Sequence, residues 1–288
     1  MPDGIVVIDK PQGWTSMDVC AKLRGALREK RVGHAGTLDP MATGVLPVFV
    51  GQATKAVPFA EDGKKEYVAS LRLGLVTDTQ DMTGTVLSQT AADVTEDALR
   101  AALARFTGEI AQIPPMYSAV KIGGRKLYEL ARAGQEIERR PRRVTIYEAE
   151  LLGRDAAGDW TLCVVCSKGT YIRTLCHDLG AALGCGGCMS ALRRTAASGF
   201  TLDEAVTLEQ VLERGAALLR PTDSLFRAHP AYRIADAETE RRCRCGNPIR
   251  AVDLADGTYR VYGADGAFLA LSAAKDGVLT AIRNFFST

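Results

Sequence analysis

One carboxylate stands out by its setting. In His34-Ala-Gly-Thr-Leu-Asp39-Pro-Met-Ala-Thr-Gly44, Pro40 disfavours helical geometry at Asp39 and fixes the backbone just beyond it. Gly33, Gly36 and Gly44 let the chain turn tightly and let a ligand approach the backbone. An Asp held this way beside the apolar run VLPVFVG could serve as a nucleophile or as a base. The same pattern suits a purely structural turn, and these residues alone leave both readings open. Other chemistries lack their signatures. There is no Walker-type phosphate loop, no GxGxxG after the first strand and no H-E-x-x-H, and none of the three histidines is followed two residues later by Glu.

The eight cysteines raise a second possibility. Cys163-x-x-Cys166 and Cys185-x-x-Cys188, separated by 18 residues, have a spacing that can read as a zinc ribbon. However, Cys163 and Cys166 fall on an expected strand, where an odd offset points side chains to opposite faces. A zinc knuckle needs a turn that makes them converge. Free thiols and no bound metal are expected, in keeping with a reducing compartment.

The elements that must position Asp39 follow from periodicity. Gly4 to Asp9 reads as a short buried strand, ended by Pro11 and Gly13. Thr15 or Ser16 caps a helix whose Val19, Cys20, Leu23, Ala26 and Leu27 make one apolar face. Residues 65–74 alternate, with Tyr67, Ala69, Leu71 and Leu73 on one side of a half-buried strand. TEDALRAALARF is an amphipathic helix opened by Thr95. The segment of about 113–143 is punctuated by Pro and Gly and rich in charge. It has one short helix near Lys126 to Ala133 and no evident contribution to a core, so it reads as a long functional excursion. Strands return at RVTIYEAELLG and WTLCVVCSKG, followed by a helix near Thr174 to Leu183. This mixture without a regular βαβ rhythm predicts an α+β fold with a mixed, largely antiparallel sheet. From about Pro230 the turn signals NP and three DG pairs mark a small, separate β-rich domain, dividing the chain into 1–229 and 230–288.

A chain of 288 residues that is 47% hydrophobic can bury a full core. The first apolar run is too short for a signal sequence and no stretch reaches the length of a membrane span, so a soluble, cytoplasmic protein is expected. Net charge is only +2, but its distribution is uneven. Lys22 to Arg31 holds five basic residues against one acidic, and Lys121 to Arg143 holds eight against three. Such clusters can offer phosphates a cationic track, or they can be solvated helix faces.

The block GTLDPMATGVLPVFVGQATK closely resembles the catalytic motif of the TruB family of transfer RNA pseudouridine synthases. GIVVIDKPQGWTS, KEYVASLRLGLVTDTQDMTG, IPPMYSAVKIGGRKLYELARAG, CSKGTYIRTLCHDLG and ALRRTAASGF agree in order, so the likeness spans almost all of residues 4–200. Met41 stands for an expected Leu, Cys188 for an expected His, and His177 where an acidic residue is common. The resemblance implies a pseudouridine synthase core that flips a uridine out of the T loop of transfer RNA, at position 55 of that RNA. It implies that Asp39 is catalytic, that Tyr67 stacks on the flipped base near its C5, and that Arg173 pairs with Asp39. It further implies that Tyr171 and Leu192 line the pocket and that His34 helps hold open the place the base has left. By the same likeness, about 113–143 is an RNA clamp acting through Lys121, Arg125, Lys126, Arg139, Arg140, Arg142 and Arg143. The C-terminal region, through a weaker match at GNPIR, is a small RNA-binding domain of the PUA kind.

The chemistry suits these residues. Isomerising uridine breaks a C–N bond and forms a C–C bond to the same sugar carbon, without net redox change, consumption of water or phosphate transfer. No cofactor is needed. Either role for Asp39 needs its charged form, which a guanidinium neighbour favours and burial opposes. A monomer with no obligate protein partner is expected. A non-catalytic RNA-binding or RNA-folding protein is the competing reading, and the combination of Asp39, Tyr67 and Arg173 argues against it.

Overall fold

The computed structural model describes residues 2–286; Met1, Ser287 and Thr288, at the ends of the two expected domains, lie outside the described residues. Among these, nine strands form one sheet and five form another. The chain enters the large sheet with β1 (Gly4–Lys10), crosses it with α1 (Ser16–Leu27), and returns through β2 (Val32–His34) and β3 (Thr43–Val50). Thr15 caps α1: its hydroxyl accepts from the Asp18 amide while the Asp18 carboxylate accepts from the Thr15 amide. A short α2 (Val57–Glu61) leads into β4 (Lys65–Leu73), then a hairpin of β5 (Leu75–Thr77) and β6 (Val86–Gln89).

After α3 (Glu96–Ala104) and β7 (Gly108–Gln112), the chain leaves the sheet. It forms β8 (Lys121–Ile122), β9 (Arg125–Lys126) and α4 (Leu127–Arg132), and rejoins the sheet as β10 (Arg142–Arg154). Next come β11 (Trp160–Cys166), α5 (Ile172–Ala182), β12 (Gly187–Ala197) and β13 (Phe200–Thr201), then α6 (Leu208–Arg214). The sheet runs β1-β3-β12-β4-β11-β10-β7, with β2 and β13 attached to β3 and β12. Only the β3–β12 pair is parallel, so the sheet is mixed and largely antiparallel, and the fold is α+β.

The apolar run of β1 is continuous because both faces are covered. Val6 and Ile8 enter the main core with α1, while Ile5 and Val7 enter a second cluster on the opposite face. That second cluster includes Phe226, Leu271 and Phe285, and Leu271 and Phe285 come from the C-terminal region. This region holds β14 (Ala231–Arg233), α7 (Ala237–Arg244), β15 (Ile249–Arg250), β16 (Gly257–Tyr262), β17 (Phe268–Lys275) and β18 (Val278–Asn284). Its five-stranded sheet has an apolar cluster of its own around Val261 and Leu269. It is nevertheless joined to the body, because Phe268 and Phe285 stack on each other and pack at a tilt against Phe226, and the Tyr262 hydroxyl donates to Asp223.

The excursion also differs from its sequence reading. It occupies 113–141, because Arg142 and Arg143 pair with Gln112 and Ala111 as the first residues of β10. It carries a miniature core of Met116, Leu127 and Leu130, packed with Tyr117, Val120 and Ile137. Irregular spacing of these residues hides that core from periodicity.

Candidate active site

The loop between β2 and β3 carries Asp39, and alternate carbonyls on both sides of it are anchored. Arg194 donates to the Gly36 carbonyl at 3.0 Å. The Ser16 hydroxyl accepts from the Leu38 amide at 2.9 Å and donates to the Leu38 carbonyl at 3.2 Å. The Pro40 carbonyl accepts from the Gly13 amide at 2.8 Å and from Lys10 Nζ at 3.3 Å. Gly44 follows at φ +104, and a side chain there would collide with the Arg194 backbone on the neighbouring strand. The loop is thus held along its length while the Asp39 side chain remains partly exposed.

Arg173, near the start of α5, reaches that side chain from the far side of a cleft. Its Nε lies 2.9 Å from Asp39 Oδ2 and its Nη2 3.4 Å from Asp39 Oδ1. Nη1 donates to the Thr79 carbonyl and Nη2 to the Tyr117 carbonyl, each at 2.9 Å. A second carboxylate, Asp81, stands 3.6 Å from Nη1 and accepts from both Thr79 and Thr83 hydroxyls. The start of α5 is fixed by Gln112, which accepts from the Tyr171 amide and donates to the Tyr171 carbonyl.

The cleft above this pair has a volume of about 910 Å³ and is lined by Asp39, Tyr67, Tyr171, Arg173 and Leu192 among others. Strand register brings Tyr67 opposite Arg194 and Ala69 opposite Leu192 across β4 and β12, which puts these side chains on one face. Burial pushes the Tyr67 phenol up, with the Arg194 charge opposing. Burial also pushes the Tyr171 phenol up, against Ser118 and Arg173. Tyr128 and Arg132 of α4, with Arg142 and Arg143, reach the same cleft from the insertion side.

His34 sits elsewhere. It lies on β2, opposite Val48, and is not among the residues that line the cleft. Its Nδ1 is buried without a partner, and burial, then the Arg194 charge, pushes the imidazole down toward its neutral form. The expected clamp cations also divide. Lys121, Arg125, Arg140, Arg142 and Arg143 are exposed; Lys126 is half-buried and bonds the Tyr128 hydroxyl. Arg139 pairs with Glu136 and donates to the Pro114 carbonyl, while Arg143 pairs with Glu109.

Sequence reasoning misses Lys10, Asp81, Gln112 and Arg194, although Lys10, Asp81 and Arg194 lie inside the motifs quoted above. Lys10 is fully buried and spends its ammonium on the carbonyls of Pro11, Trp14 and Pro40. A buried cation with three acceptors is legible only once those carbonyls converge. On the cysteines, Cys166 is buried on one face of β11 and Cys163 half-exposed on the other, the opposed arrangement that an odd offset gives. Among the described residues no three His, Cys, Asp or Glu side chains are grouped to hold a metal ion.

Comparison with known proteins adds independent information. Residues 24–172 match the family described as TruB family pseudouridylate synthase (N terminal domain). Residues 173–227 match the tRNA pseudouridylate synthase B C-terminal domain. The chain is 47% identical over 289 residues to tRNA pseudouridine synthase B of Ralstonia nicotianae, covering 96% of this chain and 92% of that one. It is 48% identical over 265 residues to the protein of the same name from Alkaliphilus oremlandii, covering 91% and 88%. Among solved structures, a Cbf5-Nop10-Gar1 complex contains a chain similar to this one at a TM-score of 0.75 and 27% identity, covering 98% and 85%. An H/ACA RNP bound to a substrate RNA containing 2'-deoxyuridine matches at a TM-score of 0.74 and 25% identity, covering 99% and 85%.

Proposed function

Because this chain belongs to the TruB family of pseudouridylate synthases and is an enzyme that isomerises uridine in transfer RNA to pseudouridine, we propose that Asp39 is its catalytic carboxylate. The observation that carries this reading is the ion pair of Asp39 with the buried Arg173 at the floor of a cleft large enough for a flipped nucleotide. The guanidinium orients the carboxylate, while partial exposure leaves Asp39 open to the sugar or the base. Leaving its stack costs the target a few kcal/mol, which stacking on Tyr67 offsets in a pocket bounded by Tyr171 and Leu192.

The target uridine lies in the T arm, at the position the family resemblance implies. Residues 113–141, with Arg142 and Arg143 at the strand edge, grip the RNA backbone. The unit from about 230 adds a PUA-like RNA-binding surface to the catalytic unit that precedes it. His34, on β2 and outside the cleft lining, helps hold open the space from which the base has moved. The enzyme acts as a monomer in the cytoplasm, and its redox-neutral isomerisation draws on no cofactor. Among the described residues no helix is long and apolar enough to cross a membrane.

The test is to incubate the protein with unmodified transfer RNA and map pseudouridine by chemical labelling and primer arrest. A single stop in the T loop, absent with Asp39→Asn, is the expected result. A stop elsewhere overturns the T-arm assignment, and a stop that survives the substitution overturns the role of Asp39.

A further inference from the structure

Arg194 is an unusual residue for the interior. It is 1% exposed and ranks among the largest fully buried side chains, yet among the described residues no carboxylate lies within ion-pair distance of it. A guanidinium buried without a counter-charge is costly, and it persists where oxygen dipoles satisfy its fixed fork of donors. Here Nε donates to the Val45 carbonyl at 2.7 Å and Nη2 to the Gly36 carbonyl at 3.0 Å. These two carbonyls bracket the segment that contains Asp39. Strand register sets Tyr67 directly across from Arg194 on the same face of the sheet, where both line the cleft, and the guanidinium charge opposes the rise that burial imposes on the phenol. A side chain grown on Gly36 would meet Nη1 at 3.2 Å, so the turn and the guanidinium are already in close contact.

Lysine cannot reproduce this arrangement. An ammonium is a point charge, whereas the planar guanidinium can address three oxygens in fixed directions. Nearby Lys65 illustrates the limit: its Nζ is occupied by the carbonyls of Glu61 and Gly63.

We infer that Arg194 is a positioning residue that ties the Tyr67 hydroxyl to the Gly36–Val45 segment, so that the stacking ring and the Asp39 carboxylate move as one frame. This rests on the reading of Asp39 and Tyr67 given above. Arg194 itself touches no reacting atom; it fixes the distance between two groups that do.

The experiment is a double-mutant cycle of Arg194→Lys and Tyr67→Phe, read by single-turnover pseudouridine formation, by transfer RNA affinity and by thermal midpoint. Each single variant is expected to slow the single-turnover rate by about tenfold, the scale of coupling between residues in contact, with affinity within about twofold of the parent. The double variant is then no slower than the slower single one. If Arg194→Lys does not fold, Gly36→Ala, which crowds the guanidinium from the loop side, takes its place in the cycle. Losses that simply multiply, an unchanged rate in Tyr67→Phe, or a rate that follows thermal midpoint alone would each overturn the inference. Asp39→Asn, run alongside, separates the two claims: activity there sinks the role of Asp39, while the Arg194–Tyr67 coupling is still read from its own cycle.

Discussion

In the cleft, the Arg173 side chain is 5% exposed and its Nε and both terminal nitrogens meet oxygen atoms. In the insertion, Arg125 and Arg140 lie exposed, and the nearby Arg139 and Arg143 form pairs with a partner in solvent. The same side chain is thus used in two physically different ways. Buried, its charge is strong, directional and tied to one geometry; exposed, it is screened, adaptable and suited to a phosphate backbone whose exact path varies. The support differs as well. The Arg173 helix packs on the main core, whereas the insertion rests on a three-residue core of Met116, Leu127 and Leu130. Precision belongs to the first region and accommodation to the second. They meet where Arg173 donates to the carbonyl of Tyr117 in the insertion.

The largest effect should come from the centre of the cleft. Asp39→Asn keeps size but removes charge, and turnover should fall on the order of 10⁴-fold or more while transfer RNA binding changes little. Parallel binding and pseudouridine assays check this, with circular dichroism to exclude a misfolded loop. Substantial activity would break the contrast by showing that the ion pair in the cleft is not the chemical one.

Arg173→Ala comes next. It removes the partner of Asp39 and also strips the buried Asp81 of its cation, so turnover should collapse and stability should drop by about 3–5 kcal/mol. Urea denaturation alongside the activity assay separates the two losses. A stability change near zero would show that Asp81 is satisfied by Thr79 and Thr83 alone.

In the insertion, single changes should be small and collective ones electrostatic. Replacing Lys121, Arg125, Arg140 and Arg142 with Gln should weaken RNA binding and flatten its salt dependence by roughly 0.7 for each single-strand phosphate that is no longer neutralised. Replacing Arg139 and Arg143, which are already paired, should flatten it less. Equal slopes for the two sets would erase the distinction between free and paired cations.

The last effect is a pH dependence of stability at Lys10. Burial holds its ammonium down to about 8 from an ordinary 10.5, with the Asp39 charge pulling the other way. Between about pH 8 and 10.5 the unfolded chain therefore binds the proton that the folded chain has released. Stability contributed by this group rises with pH across that window, by at most about 1.4 kcal/mol per pH unit. Comparing urea midpoints at the two ends of the window, Lys10→Met should lack this rise.

Much of the architecture was legible because it is local. The Thr15 and Thr95 caps, the apolar faces of their helices, the alternation of β4 and the opposed thiols of β11 all depend on residues a few positions apart. Side-chain direction in a helix or strand follows from such spacing. The resemblance to a family added Asp39, Tyr67, Tyr171, Arg173 and Leu192, which the folded chain brings to one cleft. Composition could also show that the 113–141 segment is basic and broken by Gly and Pro. It could not show that Met116, Leu127 and Leu130 close into a core, because they follow no single period.

What the tertiary structure decided is which distant atoms meet. Arg173 and Asp39 are 134 residues apart, and Arg194 and Val45 are 149 apart. Their contact depends on strand register and on where α5 docks, neither of which any window of sequence contains. A buried guanidinium has no periodic signature; what makes it tolerable is a set of carbonyls, and those belong to backbone that every residue type shares. For the same reason, the sequence could single out Asp39, through resemblance to a family's motif, but not the buried arginine and lysine that hold its loop in place.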